Sequence, residues 1–586
     1  MKRLAALLGA LAATVSLLGS WIPSFWGDEA ASVMSAERPW PSLFRMFGHV
    51  DAVHGAYYTF LHGWVDLFGA SEFSVRLPSA LAIGAATAGL VILANHLAGR
   101  STAIVAGLVF LILPSMTDMG SEARSYAFSA ACAIWLSVLL LRLIATGDTR
   151  VLPWLGYGAL FAVSMYVFLY LALMALVHAA ILFAAGVRPG ALRGPGAARR
   201  RALLTRWISA IGVGVLLAAP VLVYGIAQRD QISWIGRRPP VTLEVFFVDQ
   251  WFRTGWLALA GWALIVAFAA ASAWAAVSRR NRLGLSGARL ADAGLADAGA
   301  PDAGLADAAL ADVDAPRVPS LATVASFWLV IPTGALILGD LLIGPIYTIR
   351  YTSFVAPAVA LLMAAAIDLF SRWSAALVGK LRASIPRASI SRASILLASI
   401  PRASIPRARN TPVGDGRRVG PVAAAPPVAA VALIAILAAL AAPTYLAQRA
   451  PYAKDEGSDW AQLAVTIEHN AHAGDAIIFG PGTRPSRDPR LAMHVYPSAF
   501  RGLVDVTLAV PYTEGSWLGD KTRSISASAG ALDATDGRVW LVRYVGPTAT
   551  SGATQLGELQ QLGYRLQKSI PLHRDTIYLL VRGGAR

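Results

Sequence analysis

The sequence predicts an all-α, multi-pass membrane protein with a small α/β domain at its C-terminal end. Three observations predict it. Of its 586 residues, 56% are hydrophobic and only 14% charged, where a soluble globular chain carries about 25% charged residues. Up to about residue 443 the apolar residues gather into long runs, many near the roughly 20 residues that cross a bilayer as a helix. Beyond about residue 444 the runs stop, and short strand-like and helix-like stretches alternate, the mark of a small α/β unit.

In chain order, about eleven runs read as membrane helices: 4–22, 79–98, 102–117, 126–144, 153–168, 170–186, 207–226, 255–277, 321–340, 352–370 and 426–443. The first follows Lys2 and Arg3 like the start of a signal peptide. No A-x-A cleavage site follows it, and a motif rich in functional groups sits at its exit, so a retained helix is expected. The runs 153–168 and 170–186 are short for two crossings and are expected to form a tight hairpin.

Charge gives the direction. The segments Arg142–Arg150, Arg188–Arg206, Arg279–Arg282 and Arg372–Arg418 are basic. With the N-terminus inside, all four fall on the cytoplasmic side, as basic loops of membrane proteins do. Segments 23–78, 118–125, 227–254, 341–351 and the tail then lie outside, at the plasma membrane's outer face. The net charge of +16 therefore encodes orientation. No basic patch interleaved with aromatics points to nucleic acid. The single cysteine, Cys132, lies in an apolar run, which excludes an intrachain disulfide and a Cys-based metal site.

The expected domains are a transmembrane domain over 1–443 and an extracytoplasmic α/β domain over 444–586. Within the first, residues 290–312 repeat Leu-Ala-Asp-Ala-Gly and residues 382–409 repeat Arg-Ala-Ser-Ile-Pro. Neither repeat has an apolar face able to build a core, so inserts at about 283–318 and 372–425 read as disordered cytoplasmic linkers. The basic repeat also suits anionic headgroups, making membrane lipids a partner. In the tail, Ser458–Ala473 reads as an amphipathic helix with Trp460, Leu463 and Ile467 on one side. Ala476–Phe479, Val504–Val510, Arg538–Tyr544 and Thr576–Val581 read as strands, with a helix near Gln555–Leu562. The tail has no Gly-rich phosphate loop and no metal-ligand spacing, and no chemistry is assigned to it.

The chemistry belongs elsewhere. Charged residues at membrane depth are costly and need a reason. Three outer segments concentrate them: Trp26-Gly27-Asp28-Glu29 continuing to Asp51, His54, Tyr57 and Tyr58; then Glu122, Arg124 and Tyr126; then Arg350 and Tyr351. Their common side was not built in, because loop basicity set the topology. Their types suit transfer of a sugar from a lipid phosphate. A carboxylate takes the proton of the attacking hydroxyl, and Arg, His and Tyr donors meet the phosphate that leaves. Bland readings compete. Asp28 and Glu29 also suit a helix start, Arg124 a snorkelling anchor, Arg76 a positional role, and Trp21, Trp26 and Trp40 an interfacial belt.

Phe25-Trp26-Gly27-Asp28-Glu29-Ala30 resembles the first-loop Asp-Glu motif of glycosyltransferase family 39, the protein O-mannosyltransferase and aminoarabinose–lipid A transferase family. Asp51-Ala52-Val53-His54-Gly55-Ala56-Tyr57-Tyr58 is similar to its Asp-x-x-His segment, with Gly55-Ala56 where the family often has Pro-Pro. Ser74-Val75-Arg76-Leu77-Pro78-Ser79, Glu122-Ala123-Arg124-Ser125-Tyr126, and Arg350-Tyr351 followed by Pro357 resemble bacterial members. The resemblance is best over about 1–370, and the inserts and tail look like those of actinobacterial-type mannosyltransferases. It implies an inverting enzyme of the C-type glycosyltransferase fold. The donor would be a polyprenyl-phosphate sugar, with mannose expected, and the acceptor a glycan, protein or lipid hydroxyl. Asp28 and Glu29 are the expected catalytic residues. Asp51, His54, Tyr57, Tyr58, Glu122, Arg124, Tyr126, Arg350 and Tyr351 are expected to bind the donor. No cofactor is fixed by these motifs, although an Asp-Glu pair is a candidate for holding a divalent metal. The competing reading is a membrane transporter or lipid flippase. Transporters carry charges near mid-membrane on broken helices and often repeat their topology; here the charges gather at one face. A scaffolding role would not call for carboxylates and arginines on three separate outer segments.

Overall fold

The computed structural model describes residues 1–187, 196–237, 241–292, 318–384, 428–545 and 552–583. Both repeats lie largely outside them: the first is described only to Asp292 and the second only to Ser384. Among the described residues every predicted run falls mainly on helix, the last from Val428 on. The elements are α1 (Lys2–Leu17), α2 (Gly27–Ala36), α3 (Trp40–Phe47), α4 (Gly55–Phe68), α5 (Glu72–Ala98), α6 (Arg100–Ile112), α7 (Pro114–Met119), α8 (Tyr126–Thr146), α9 (Val151–Val167), α10 (Met174–Ala184), α11 (Ala197–Leu217), α12 (Ala219–Ala227), α13 (Gly255–Asp292), α14 (Leu321–Leu342), α15 (Ala356–Ser384) and α16 (Val428–Ala447). The chain is a multi-pass membrane protein, but length does not establish eleven crossings. Among the described residues six helices are long and apolar enough to cross, or seven if the pair α11 and α12, bent by 57°, is one span. α6, α9 and α10 are shorter than a bilayer-spanning helix. The short helices α9 and α10 meet across a buried hydrogen bond, Tyr157 hydroxyl to His178 Nδ1 at 2.6 Å, with Ser137 on the other ring nitrogen at 3.1 Å.

α5 is the centre of the bundle and packs on α1, α6 and α8. Lipid supplies little hydrophobic drive between helices, so small residues that let backbones approach do the work. A Cβ on Gly9 would stand 2.7 Å from the Gly84 carbonyl oxygen, and one on Gly84 would stand 2.8 Å from that of Gly9. Ser71 starts α5 by accepting from the Ser74 N–H, leaving the segment before it to form the outer loop. That loop is built of short helices, α2 to α4, with a 3-10 turn over Ala52–His54.

The tail folds as a helix α17 (Trp460–Asn470) and a mixed sheet. Its strands are β1 (Ala476–Phe479), β2 (Val504–Asp505), β5 (Arg538–Tyr544), β6 (Tyr564–Pro571) and β7 (Asp575–Arg582), ordered β2-β1-β5-β7-β6. β3 (Leu508–Val510) and β4 (Lys521–Thr522) make a separate antiparallel pair. The expected strand Val504–Val510 is thus split in two. Asp505 Oδ1 takes the Thr507 N–H at 3.2 Å, which turns the chain at that point. The sheet alternates its faces. Ile477, Phe479, Trp540 and Val542 point to Trp460, Leu463 and Ile467 of α17, and that core continues into Phe25, Ala30, Val33 and Leu43 of the outer loop. Ser458 Oγ donates to the Phe25 carbonyl at 2.6 Å, and Ser24 N–H to the Pro451 carbonyl at 3.0 Å. The outer loop and the tail therefore sit at the same end of the bundle.

Candidate active site

α1 ends at Leu18, where Arg449 from beyond α16 donates to the carbonyls of Leu18 and Ser16 at 3.2 and 3.1 Å. A cation on the last carbonyls of a helix satisfies groups that have no partner within it. The chain then turns through Pro23 and starts α2 at Gly27, which leaves Asp28 and Glu29 in its first turn. Gly27 has no room for a side chain: a Cβ there would lie 2.1 Å from the carbonyl oxygen of Ser486 in the tail.

Successive helical residues point in different directions, and the two carboxylates part. Asp28 Oδ2 lies 3.0 Å from Arg350 Nη1, and both side chains are about a third exposed, 32% and 31%. Glu29 is fully buried. Arg76, also fully buried, holds it through Nε at 2.7 Å and Nη2 at 2.5 Å, while the Ala123 N–H donates to it at 2.9 Å. The remaining Arg76 donors go to the carbonyls of Ser20, Pro23 and Ser24. The expected catalytic pair is therefore split, with Asp28 half-open and Glu29 sealed in a structural tie. Its oxygens are consumed in tying three segments together.

The second arginine, Arg124, is 7% exposed. Its Nη1 reaches the Asp28 carbonyl at 3.4 Å, Ser32 Oγ at 3.4 Å and Tyr58 Oη at 3.2 Å. Tyr58 in turn donates to Asp51 Oδ2 at 2.8 Å. Arg124 Nη2 lies 3.2 Å from His54 Nε2. A guanidinium only donates, so Nε2 accepts and the imidazole hydrogen sits on Nδ1. Burial, reinforced by Arg124, pushes the His54 pKa down to about 3. His54 is therefore a neutral acceptor that steers Arg124. It does not lend positive charge to a phosphate, which corrects that part of the sequence reading. Burial pushes the carboxyls of Asp51 and Glu122 up. Glu122 Oε1 stands 4.0 Å from Arg350 Nη2.

Trp26 departs from the expectation of an interfacial belt. It is 3% exposed and lies under the Arg350 guanidinium, 4.3 Å from Cζ to the ring centroid, and so is no interfacial belt residue. Tyr126, Tyr351, Phe168 and Tyr170 form an aromatic wall beside Arg350, with centroids 5.3–6.5 Å apart. Tyr57 turns away to Phe128, 5.9 Å off. The structure thus gathers Asp28, Asp51, His54, Tyr58, Glu122, Arg124 and Arg350 around one another, with Tyr126 and Tyr351 as a flank.

Sequence reasoning missed an adjoining charge knot. Asp118 lies 3.1 Å from both Arg253 Nη2 and Lys454 Nζ. Burial raises its carboxyl, but Lys454 and Arg253 outweigh this and hold it well below the usual range. Asp118 shares the outer segment 118–125 with Glu122 and Arg124, which was the available signal. Lys454 and Arg253 carry no local pattern.

Residues 56–224 match the family model of the dolichyl-phosphate-mannose-protein mannosyltransferases. That segment, less than a third of the chain, is what is similar to the family. The crystal structures of ArnT from Cupriavidus metallidurans, in the apo state and bound to undecaprenyl phosphate, are similar over the whole length. Their TM-scores are 0.50 and 0.51 at 16% identity, covering 98% of this chain and 97% of that one. At that identity the likeness establishes the fold, a helical membrane bundle with a small sheet domain after it. No curated protein matches the sequence. Tyr57, Tyr58, Glu122, Arg124 and Tyr126 lie inside the mannosyltransferase-family segment; Asp28, Asp51 and His54 precede it, and Arg350 and Tyr351 follow. No three His, Cys, Asp or Glu gather as metal ligands among the described residues. Asp28 faces Arg350 and Asp51 faces Tyr58, a donor set already met by cations and hydroxyls that fits a divalent metal poorly.

Proposed function

We propose that the protein is an inverting glycosyltransferase. In this reading it moves a sugar, mannose by preference, from a polyprenyl-phosphate donor to an acceptor hydroxyl on the outer face of the plasma membrane. One observation carries the reading: a half-open carboxylate, Asp28, 3.0 Å from a half-open arginine, Arg350, with a second arginine, Arg124, on the Asp28 backbone. The family match over 56–224 and the ArnT fold, one of whose structures holds undecaprenyl phosphate, support a lipid-phosphate donor.

The chemistry follows from the placement. Asp28 accepts the proton of the acceptor hydroxyl as its oxygen attacks the anomeric carbon. The bond from that carbon to the phosphate oxygen breaks on the opposite face, and the phosphate departs with the electron pair. Arg350 and Arg124 meet the added charge. Donors placed beforehand where charge develops supply the largest share of such catalysis. The half-open Arg350 contacts the phosphate; Arg124, committed to Tyr58, Ser32 and His54, acts from behind it. The aromatic wall of Tyr126, Tyr351 and Tyr170 receives the first isoprene units.

The test is purified protein incubated with polyprenyl-phosphate-mannose and a mixed-glycan acceptor. Release of free polyprenyl phosphate, dependent on acceptor, is expected. A transporter or flippase would move the lipid between leaflets and release none.

A further inference from the structure

Two buried polar groups beside the Asp28–Arg350 pair have no use in the mechanism above. Trp26 is 3% exposed, and its indole N–H has no hydrogen-bond partner among the described residues. Glu122 is 2% exposed, and its Oε2 has none there either. Both groups stand on one guanidinium: the Trp26 ring lies 4.3 Å from Arg350 Cζ, and Glu122 Oε1 lies 4.0 Å from Arg350 Nη2. Leaving a buried polar group unmatched costs about 1–3 kcal/mol, and here one orphan is a donor and the other an acceptor.

Their types exclude a phosphate as the missing partner of both, because a carboxylate repels it. An ammonium or a metal ion would satisfy the carboxylate and leave the indole N–H bare. A hydroxyl donates and accepts through a single oxygen, and it is the group that answers both. A glycosyl unit carries several hydroxyls on one rigid ring. The backbone under Glu122 is also fixed, since the Ala123 N–H is bound to the buried Glu29 carboxylate at 2.9 Å. Such support is what a selective subsite needs, with its reading group held by groups that do not themselves touch the ligand.

We propose that Trp26 Nε1 and Glu122 Oε2 form the sugar-recognition subsite of the donor, reading ring hydroxyls of a hexopyranose whose anomeric carbon lies beside the Asp28–Arg350 pair. This rests on the glycosyltransferase reading. The two groups make and break no covalent bond; they set which sugar is transferred. A site built to hydrogen-bond a hydroxyl rejects the analogue that lacks it, because its own buried groups are then left unpaired.

The experiment uses the full-length enzyme with polyprenyl-phosphate-mannose and its monodeoxy-mannose analogues. Wild-type kcat/KM is expected to fall about 10–100-fold for the analogue lacking the hydroxyl that is read. Glu122→Gln and Trp26→Phe should lose about that factor on mannose itself and little on that analogue, so that discrimination collapses. Both variants should bind sugar-free polyprenyl phosphate at least as tightly as the wild type, because each keeps Arg350 and neither adds negative charge beside it. Equal losses on every donor, or weakened binding of the sugar-free lipid, overturn the subsite. A wild-type enzyme that turns over no sugar donor overturns the glycosyltransferase reading itself, and the subsite with it.

Discussion

Asp28→Asn separates the base from the phosphate grip. The substitution keeps the size of the side chain and removes its ability to hold a proton at neutral pH. General base help is worth about 10²–10⁴-fold, or about 3–5 kcal/mol of barrier, and kcat should fall by that factor. The same change acts oppositely on the donor. Asp28 holds Arg350 at 3.0 Å, with both side chains about a third exposed, and an ion pair that open contributes about 0–1 kcal/mol. Freed of it, Arg350 still rests on Trp26 and presents its full charge to the phosphate. Donor affinity should therefore stay level or tighten by up to about fivefold. Single-turnover transfer from labelled polyprenyl-phosphate-mannose reads the first quantity, and equilibrium binding of polyprenyl phosphate the second. Turnover within tenfold of wild type would refute Asp28 as the base. Asp51, held by Tyr58 at 2.8 Å, is then next, and Asp51→Asn should show the loss. Abolished donor binding would show instead that Asp28 supports the fold of the site.

Arg350→Ala removes a charge-assisted contact worth about 1.5–3 kcal/mol and should weaken donor binding about 10–100-fold, with turnover falling too, as read by donor titration. Glu29→Gln leaves Arg76 buried without its counter-charge, which costs about 3–5 kcal/mol; a large fall in Tm is expected, whereas lost activity at unchanged Tm would restore Glu29 to the catalytic set. Gly27→Ala places a Cβ 2.1 Å from the Ser486 carbonyl oxygen and should destabilise by about 1–3 kcal/mol, seen as faster limited proteolysis of the tail. His54 has its pKa lowered from 6.5 to about 3 in the folded protein. Below about pH 6.5 the unfolded chain binds a proton that the folded one does not, so stability should fall as pH drops through that value and stay flat above it. Thermal melts of wild type and His54→Asn check this, the variant losing that part of the slope.

The bundle was legible because burial in lipid demands long uninterrupted apolar runs, and all of them became helices. The central tail strands were legible for a similar reason: Ala476–Phe479 is buried at every position and Arg538–Tyr544 at all but its first. β6 was missed because it is an edge strand whose residues from Arg565 to Ser569 are exposed and mostly polar, a pattern a loop also shows. The site was readable as chemistry at one membrane face. Which carboxylate stays half-open and which is sealed was not, because that depends on Arg76, which lies 47 residues away and inside an apolar helix. Asp118, Arg253 and Lys454 escaped because ion pairs between distant segments leave no spacing to recognise.

The contacts of Phe25 and Gly27 with the tail also set an order in time. Ser458, which binds the Phe25 carbonyl, follows it by 433 residues. A ribosome adding about 5–20 residues per second needs roughly 20–90 s to make that interval. Through it α2 has neither its covering segment nor, for most of the time, Arg350, which comes 322 residues after Asp28. Asp28 is thus made long before Arg350, and the backbone beside it is covered only once Ser458 is made. A chain stopped before the tail carries Asp28, Arg124 and Arg350 but lacks the Ser458 and Ser486 contacts that cover the start of α2.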